Sequence, residues 1–479
     1  MKKHFFLSIQ LVFLFTVTVL AQYPKGTKEV IILHTNDMHA KIDNLSKLAY
    51  LADSLRSTHP YVFLVAAGDN FTGNPVVDMV EDKGYPMIEL MNMCGYNLSC
   101  FGNHEFDLGQ ETLNKRRAQA TFPFISCNID AGTSALVQPQ PYYILKAGRT
   151  KIPVLGIIQL GDNGLPDSHP SRLGGIKFYD GIAKAKEYTW LKKKYGMMIA
   201  LTHLGIEGDV PLAQQMPELD LIIGGHSHTT MDKPLVENGV TIVQTGSSLK
   251  NVGKTTLYIY KKKIIDKKYE LIPMASLKKA KPELVALINK YNDNEELNKV
   301  VGVAAKPFSN EVELGSMMTD AITYVIKTDF AFQNAGGVRI PELPAGDIKM
   351  KDVFRIDPFG NQVVLFTMNT TEIKTLIKNA FNREKSIDLY PSGMNYTVFT
   401  DASGMCTDVA LYDLSGKPVD DSREYKVGIN SYIAASYKFD HRDAGTTHVN
   451  TTAQTLIEYL GSVKTVDYQG SVRTTVINK

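Results

Sequence analysis

From residue 29 to about residue 273, apolar runs of strand length alternate with longer amphipathic stretches, which predicts an α/β domain. The runs at 30–33, 62–66, 198–201 and 221–223 are rich in Val, Ile or Leu and suit strands buried on both faces. Each stops at a polar cluster: Asp37 and His39, then Asp69, then His203, then His226 and His228. Polar residues recurring after successive buried strands point to one shared site. Residues 255–271 hold two alternating runs around a Lys-rich turn and predict an antiparallel hairpin.

Residues 277–299 are rich in Lys, Glu, Leu and Ala, with apolar positions at helical spacing, and predict a linker helix. From residue 300 a second α/β segment follows, punctuated by turns at 334–337, 358–360 and 391–393. At 479 residues the chain exceeds what one core supports. The expected order is a leader over 1–21, a first domain over 22–276, the linker helix, and a second domain over 300–479.

The leader pairs Lys2 and Lys3 with an apolar run over 5–20 and small residues at Val19 and Ala21. It reads as a cleavable secretory signal, with a retained anchor as the alternative. No later stretch approaches twenty apolar residues, so the mature chain is expected to be soluble and exported, periplasmic or at the cell surface. Without the leader, basic and acidic residues balance at 50 each, which removes the basic footprint of a nucleic-acid binder. Four cysteines are too few for a disulfide scaffold; Cys94 and Cys100 are candidates for one local bridge or for buried free thiols.

Asp37 and His39 lie two residues apart, so in extended backbone both point the same way and can chelate one cation. Asp69, in Gly68-Asp69-Asn70, offers two oxygens that can bridge two cations. Gly102-Asn103-His104-Glu105-Phe106-Asp107 combines a glycine that permits close backbone approach with a neutral carbonyl ligand on Asn103. His203, His226 and His228 add three imidazoles at loop positions. Taken singly, each cluster is explained as a strand-end turn or a structural histidine; five His and two Asp after buried strands predict a metal site.

The ordered set HTNDMHA, GDNFTGNP, GNHEFD, LTHLG and GGHSH resembles the calcineurin-like metallophosphoesterases and, within them, the bacterial 5′-nucleotidase and UDP-sugar hydrolase family, over essentially the whole mature chain. The resemblance implies a four-layer β-sandwich flanked by helices, a linker helix and a second α/β domain that binds substrate. It implies two divalent metal ions, one held by Asp37, His39, Asp69 and His228, the other by Asp69, Asn103, His203 and His226. Nitrogen and oxygen ligands without sulfur suit Zn, Mn, Fe or Co. Such a pair, about 4 Å apart, activates water for in-line attack and clamps the phosphoryl oxygens. The resemblance further implies that His104 stabilises the transition state and protonates the leaving oxygen, oriented by Asp107.

In the second segment, Asn334-Ala335-Gly336-Gly337-Val338-Arg339 resembles the family's substrate-domain motif, in which Arg339 would bind phosphate with its fork of donors and Asn334 and Asn103 would lie at the substrate. Asp357-Pro358-Phe359-Gly360-Asn361 resembles the segment that stacks a ring on the nucleobase, making Phe359 that ring. Two departures concern specificity. Around residues 308–315 this chain lacks the family's further arginines, with Lys306 the nearest substitute, and residues 430–443 lack its glycine-rich turn, leaving Tyr437 or Phe439 as the second stacking aromatic.

The leading expectation is an exported 5′-nucleotidase acting on nucleoside 5′-monophosphates. The alternatives are hydrolysis of 2′,3′-cyclic nucleotides, nucleotide sugars or other small phosphate esters, and a non-catalytic nucleotide-binding protein.

Overall fold

The structure, a computed structural model, describes residues 23–161 and 163–478; the leader therefore lies outside the described residues. The first part is built from two six-stranded sheets. One runs Lys263–Pro273, Asn251–Tyr260, Lys28–Thr35, Val62–Ala66, Leu98–Cys100, Phe124–Ile125, and the other Leu235–Glu237, Val240–Val243, Leu221–Ile223, Ile199–His203, Thr150–Ile158, Tyr142–Ala147. The sheets face each other across a core that includes Val30, Ile32, Val65, Leu98, Leu201 and Ile223. Alternate residues of the same strands point outward: Ile31, Leu33 and Leu64 pack under the helices Leu45–Thr58 and Tyr85–Cys94, and Ala200 and Ile222 pack under Ile206–Gln215. Burial on both faces explains why these strands read as unbroken apolar runs, each buried Leu or Ile contributing about 1.5–3 kcal/mol. The result is the expected four layers, helices outside two sheets.

The predicted hairpin is present as Asn251–Tyr260 and Lys263–Pro273. The expected continuous helix over 277–299 is broken. Residues 277–281 precede a helix at Pro282–Asn292, and a second short helix, Glu295–Asn298, starts at Asn294, whose side chain accepts from the Leu297 N–H. Helical composition extends through the gap, but Pro282 favours the first helical turn and Asn294 caps a new one. Leu284 and Ile288 are buried in the first part's outer core, and Lys281 pairs with Asp53 at 2.7 Å, so the segment is docked on the first part.

The second part carries a five-stranded sheet, Leu389–Ser392, Phe330–Asn334, Tyr425–Asn430, Gln362–Met368, Thr446–Thr451, and two three-stranded sheets. The turn read at 391–393 reduces to Gly393, with φ of 77°. Pro391 lies inside the strand Leu389–Ser392, at the sheet edge where a missing N–H is tolerated. All four cysteines are free and buried, so Cys94 and Cys100 form no bridge. No helix among the described residues is long and apolar enough to cross a membrane.

Candidate active site

Strand register brings the motifs together. Lys28–Thr35 and Val62–Ala66 are parallel and end level, Thr35 opposite Ala66, so the two following loops run side by side. The Asp37 N–H donates to the Gly68 carbonyl and the His39 N–H to that of Asp69. In the facing sheet, Ile199–His203 and Leu221–Ile223 are likewise parallel, with Leu201 opposite Ile223, delivering His203 and His226 to the same end.

The expected extended backbone at Asp37 and His39 is not found. Their φ values are 50° and 46°, and Asp69, His226 and His228 are also left-handed, at 52°, 84° and 54°. Such backbone costs of order 1 kcal/mol or more per residue, and it clusters here where side chains must converge. Gly68 and Gly102 permit the crossing: a Cβ on Gly68 would stand 2.6 Å from His203 Nδ1, and one on Gly102 2.2 Å from Asp69 Oδ1.

The convergence is tight. His39 Nε2 lies 3.0 Å from His228 Nε2, and His228 Nε2 3.5 Å from Asp37 Oδ1. His203 Nε2 is 3.1 Å from Asp69 Oδ2 and 3.8 Å from Asp37 Oδ1, and His226 Nδ1 is 3.1 Å from Asn103 Oδ1. Asp37, His39 and His228 bring their ligand atoms within 4.8 Å of one another, as do Asp37, Asp69 and His203, and also His39, Asp69 and His104.

His203 Nδ1 donates to the Ala67 carbonyl at 2.7 Å, which leaves Nε2 buried, without a hydrogen-bond partner, facing two carboxylates. Burial and Arg339 hold His39 well below its ordinary pKa, so its ring is neutral. The neutral His39 ring sets its Nε2 against His228 Nε2 at 3.0 Å, and His203 Nε2 crowds the Asp69 and Asp37 carboxylates. The donor set, nitrogen and oxygen without sulfur, fits a divalent metal ion that resolves those contacts. Burial opposes ionisation of Asp69, but the His203 and His104 imidazoliums outweigh it and hold its carboxyl well below the usual range.

His104 opens a short helix, His104–Leu108, and its N–H donates to Asp69 Oδ1 at 2.9 Å. Its Nδ1 is 2.6 Å from Asp107 Oδ2, and Ser168 Oγ donates to Asp107 Oδ1 at 2.9 Å. Burial alone would lower the His104 pKa; the Asp69 and Asp107 carboxylates reverse the sign and raise it.

A cavity of about 750 Å³ opens above this cluster, lined from both parts of the chain. Arg339 reaches across to place Nη2 3.3 Å from His39 Nε2, and its guanidinium lies over the Phe359 ring. Phe359 in turn stacks against His104, centroids 5.7 Å apart. Asn334 lines the cavity, its Oδ1 accepting from Asn430 Nδ2, and Tyr437 lines it with Arg383 over its ring.

Phe439 does not line the cavity; it packs against Phe366 and His441 at the edge of the second core. The helix Ser431–Ser436, absent from the reading of 430–443, turns Tyr432 and Tyr437 inward instead. Lys306 does not stand in for the missing arginines, being exposed and paired with Asp467 at 3.1 Å.

Sequence reasoning missed Asp167, Ser168, Tyr432 and Arg383, all on the cavity wall. Asp167 accepts from Asn103 Nδ2 through its carbonyl and faces Arg383 at 3.5 Å. Its signal was available: the apolar strand Thr150–Ile158 also ends at a polar loop on the same side of the sheet. Glu105 was passed over too. It is buried, and its carboxylate accepts from the N–H groups of Asp69, Asn70 and Gly102, tying two of the loops together.

Family models match in the same order as the two parts: "calcineurin-like phosphoesterase" over 30–230 and "5′-nucleotidase, C-terminal domain" over 298–439. The chain belongs to the 5′-nucleotidase family of calcineurin-like phosphoesterases. As a member of that family it is a metal-dependent phosphoric ester hydrolase. It is similar to a 5′-nucleotidase of Vibrio cholerae, 29% identical over 85% of each chain, and to the protein UshA of Yersinia enterocolitica, 26% identical over 91% of each. A 5′-nucleotidase precursor from Thermus thermophilus has the same fold, with a TM-score of 0.82 at 23% identity, covering 94% of this chain and all of that one.

Proposed function

We propose that this family member is an exported enzyme that hydrolyses nucleoside 5′-monophosphates to nucleoside and phosphate, with two divalent ions in the cluster. The carrying observation is the set of buried, converging acceptor atoms directly beneath the Arg339 guanidinium, at the floor of a cavity of nucleotide size. Asp37, His39, Asp69 and His228 would hold one ion, and Asp69, Asn103, His203 and His226 the other, with Zn, Mn, Fe and Co all suited to the donors. Bound there, the ions supply the positive charge that activates water and neutralises phosphoryl oxygens.

The protein's own groups do the rest. Arg339 binds the phosphate from the side opposite the cluster, which holds the phosphorus over the site and offsets its charge. His104, whose pKa the Asp107 carboxylate raises, would carry at Nε2 the proton for the departing nucleoside oxygen. Asp107 accepts from Nδ1 and fixes that ring, and Ser168 fixes Asp107. Phe359 and Tyr437 supply aromatic surface for the base, with Asn334 beside them. The 22–276 and 300–479 portions act as the metal-binding and substrate-binding domains. Their contact through Arg339 and His39 closes water out of the space between them. The leader directs export, consistent with the apolar run beside Lys2 and Lys3.

A second reading, hydrolysis of nucleotide sugars or cyclic nucleotides, draws on two features. The turn before the helix Glu311–Ile326 brings no arginine, and Arg172 and Arg383 line the wall of a cavity roomy enough for a larger ester. Hydrolysis with added Mn²⁺ decides between them, followed as phosphate from AMP, as UMP and glucose 1-phosphate from UDP-glucose, and as p-nitrophenol from bis(p-nitrophenyl) phosphate. AMP should be the preferred substrate. Preference for UDP-glucose or the diester moves the assignment to the second reading, and nucleotide binding without hydrolysis of any of the three makes the chain a binding protein.

A further inference from the structure

Away from the cavity, the chain's balanced charge is unevenly distributed. The cavity lies beyond the C-terminal ends of the parallel strands; three basic segments meet at their N-terminal ends. The first is Lys192–Lys194, in the helix Trp190–Tyr195. The second is the hairpin turn Lys261–Lys263: Gly196, which ends that helix, packs so closely on it that a Cβ would stand 2.4 Å from the Lys262 carbonyl. The third is the hairpin 146–151, in which Lys146 pairs directly across from Lys151 with Arg149 in the turn. Lys28 Nζ donates to the Ala147 carbonyl at 2.9 Å and joins this hairpin to the start of the first strand.

Asp220 is taken up by Lys192 at 2.7 Å, and Asp266 accepts from the Tyr23 hydroxyl. Among the described residues, Lys193, Lys194, Lys261, Lys262 and Lys263 make no ion pair, and all five are exposed. Like charges held this close are unfavourable for the isolated fold, so a partner of opposite charge is the natural account of them.

Two observations select a membrane as that partner. Tyr23 belongs to this face: its ring stacks on Tyr258 at 4.1 Å and Lys268 lies over it, pairing an aromatic with a long cationic side chain. Trp190 is 38% exposed with Lys194 Nζ 5.5 Å from its ring centre, pairing an amphipathic aromatic with a long cationic side chain as at a headgroup boundary. We propose that this lysine-rich face, opposite the cavity, docks the protein on an anionic lipid surface. Docked in this way, the cavity mouth faces away from the bilayer, open to diffusing substrate.

The test is co-sedimentation of the chain from Gln22 onward, which retains every contact described above, with phosphatidylglycerol-containing and with pure phosphatidylcholine vesicles. Binding is expected only to the anionic vesicles, and should weaken as salt shortens the screening length. At about a fivefold loss per lysine, K193E/K194E/K262E should bind roughly a hundredfold more weakly, with a thermal unfolding midpoint no lower than the parent's. K279E/K290E/K417E, with the same change of charge elsewhere, should bind like the parent. No binding to anionic vesicles, equal loss in both triple variants, or binding to double-stranded DNA but not to vesicles would each overturn the proposal.

Discussion

His104 is where the reading is most exposed to a single substitution. Its Nδ1 is committed to Asp107 and its Nε2 faces the site 3.9 Å from Asp69 Oδ2, yet it is no member of the proposed ligand sets. His104→Ala should lower kcat by about 10²–10⁴-fold and leave metal content unchanged by elemental analysis. Asp209 tests the electrostatics of the buried interior. Burial raises its carboxyl to about 7, against Thr202 and Gln244, which donate to it. A carboxyl raised above its unfolded value of 3.8 favours the fold at low pH, and that contribution is lost as pH climbs from about 4 through 7. Asp209→Asn should therefore gain on the parent progressively between pH 5 and 8, by on the order of 2–4 kcal/mol, in denaturant titrations across that range.

Elements decide what the sequence could reveal. The strands that feed the site were legible because burial on both faces makes them unbroken apolar runs, and the residues that converge there because each run stops at Asp or His. Conformation after the strands was not legible. Left-handed backbone at Asp37, His39 and Asp69 leaves no mark on periodicity, since it is imposed by hydrogen bonds between loops distant in sequence. Asp167 was passed over because Pro153 and Gly156 weaken the apolar run that signals it, and Tyr432 because the second stacking aromatic was sought only at Tyr437 or Phe439. The crossing of loops at Gly102 carries its own prediction. In Gly102→Ala the new Cβ meets Asp69 Oδ1 and must displace the carboxylate shared by both proposed ion sites. Metal affinity should fall by at least about tenfold in a competition titration, while far-ultraviolet circular dichroism stays the same.

Across the whole molecule, the two parts meet over the cavity through Arg339 and His39, Phe359 and His104, and Arg383 and Asp167. Arg339 is the one among these that the proposal makes responsible for phosphate. Arg339→Ala should cost about 10- to 100-fold in kcat/KM for AMP, and Arg339→Lys should recover part of it, because a lysine keeps the charge and loses the fork. The central claim, two ions acting together, is tested most directly by stripping the protein with EDTA and following phosphate release from AMP as Mn²⁺ is added back at protein concentrations above the dissociation constants. The account predicts no activity in the stripped protein and a rise that breaks at two equivalents per chain. Full activity at one equivalent, or activity that survives EDTA, would contradict it.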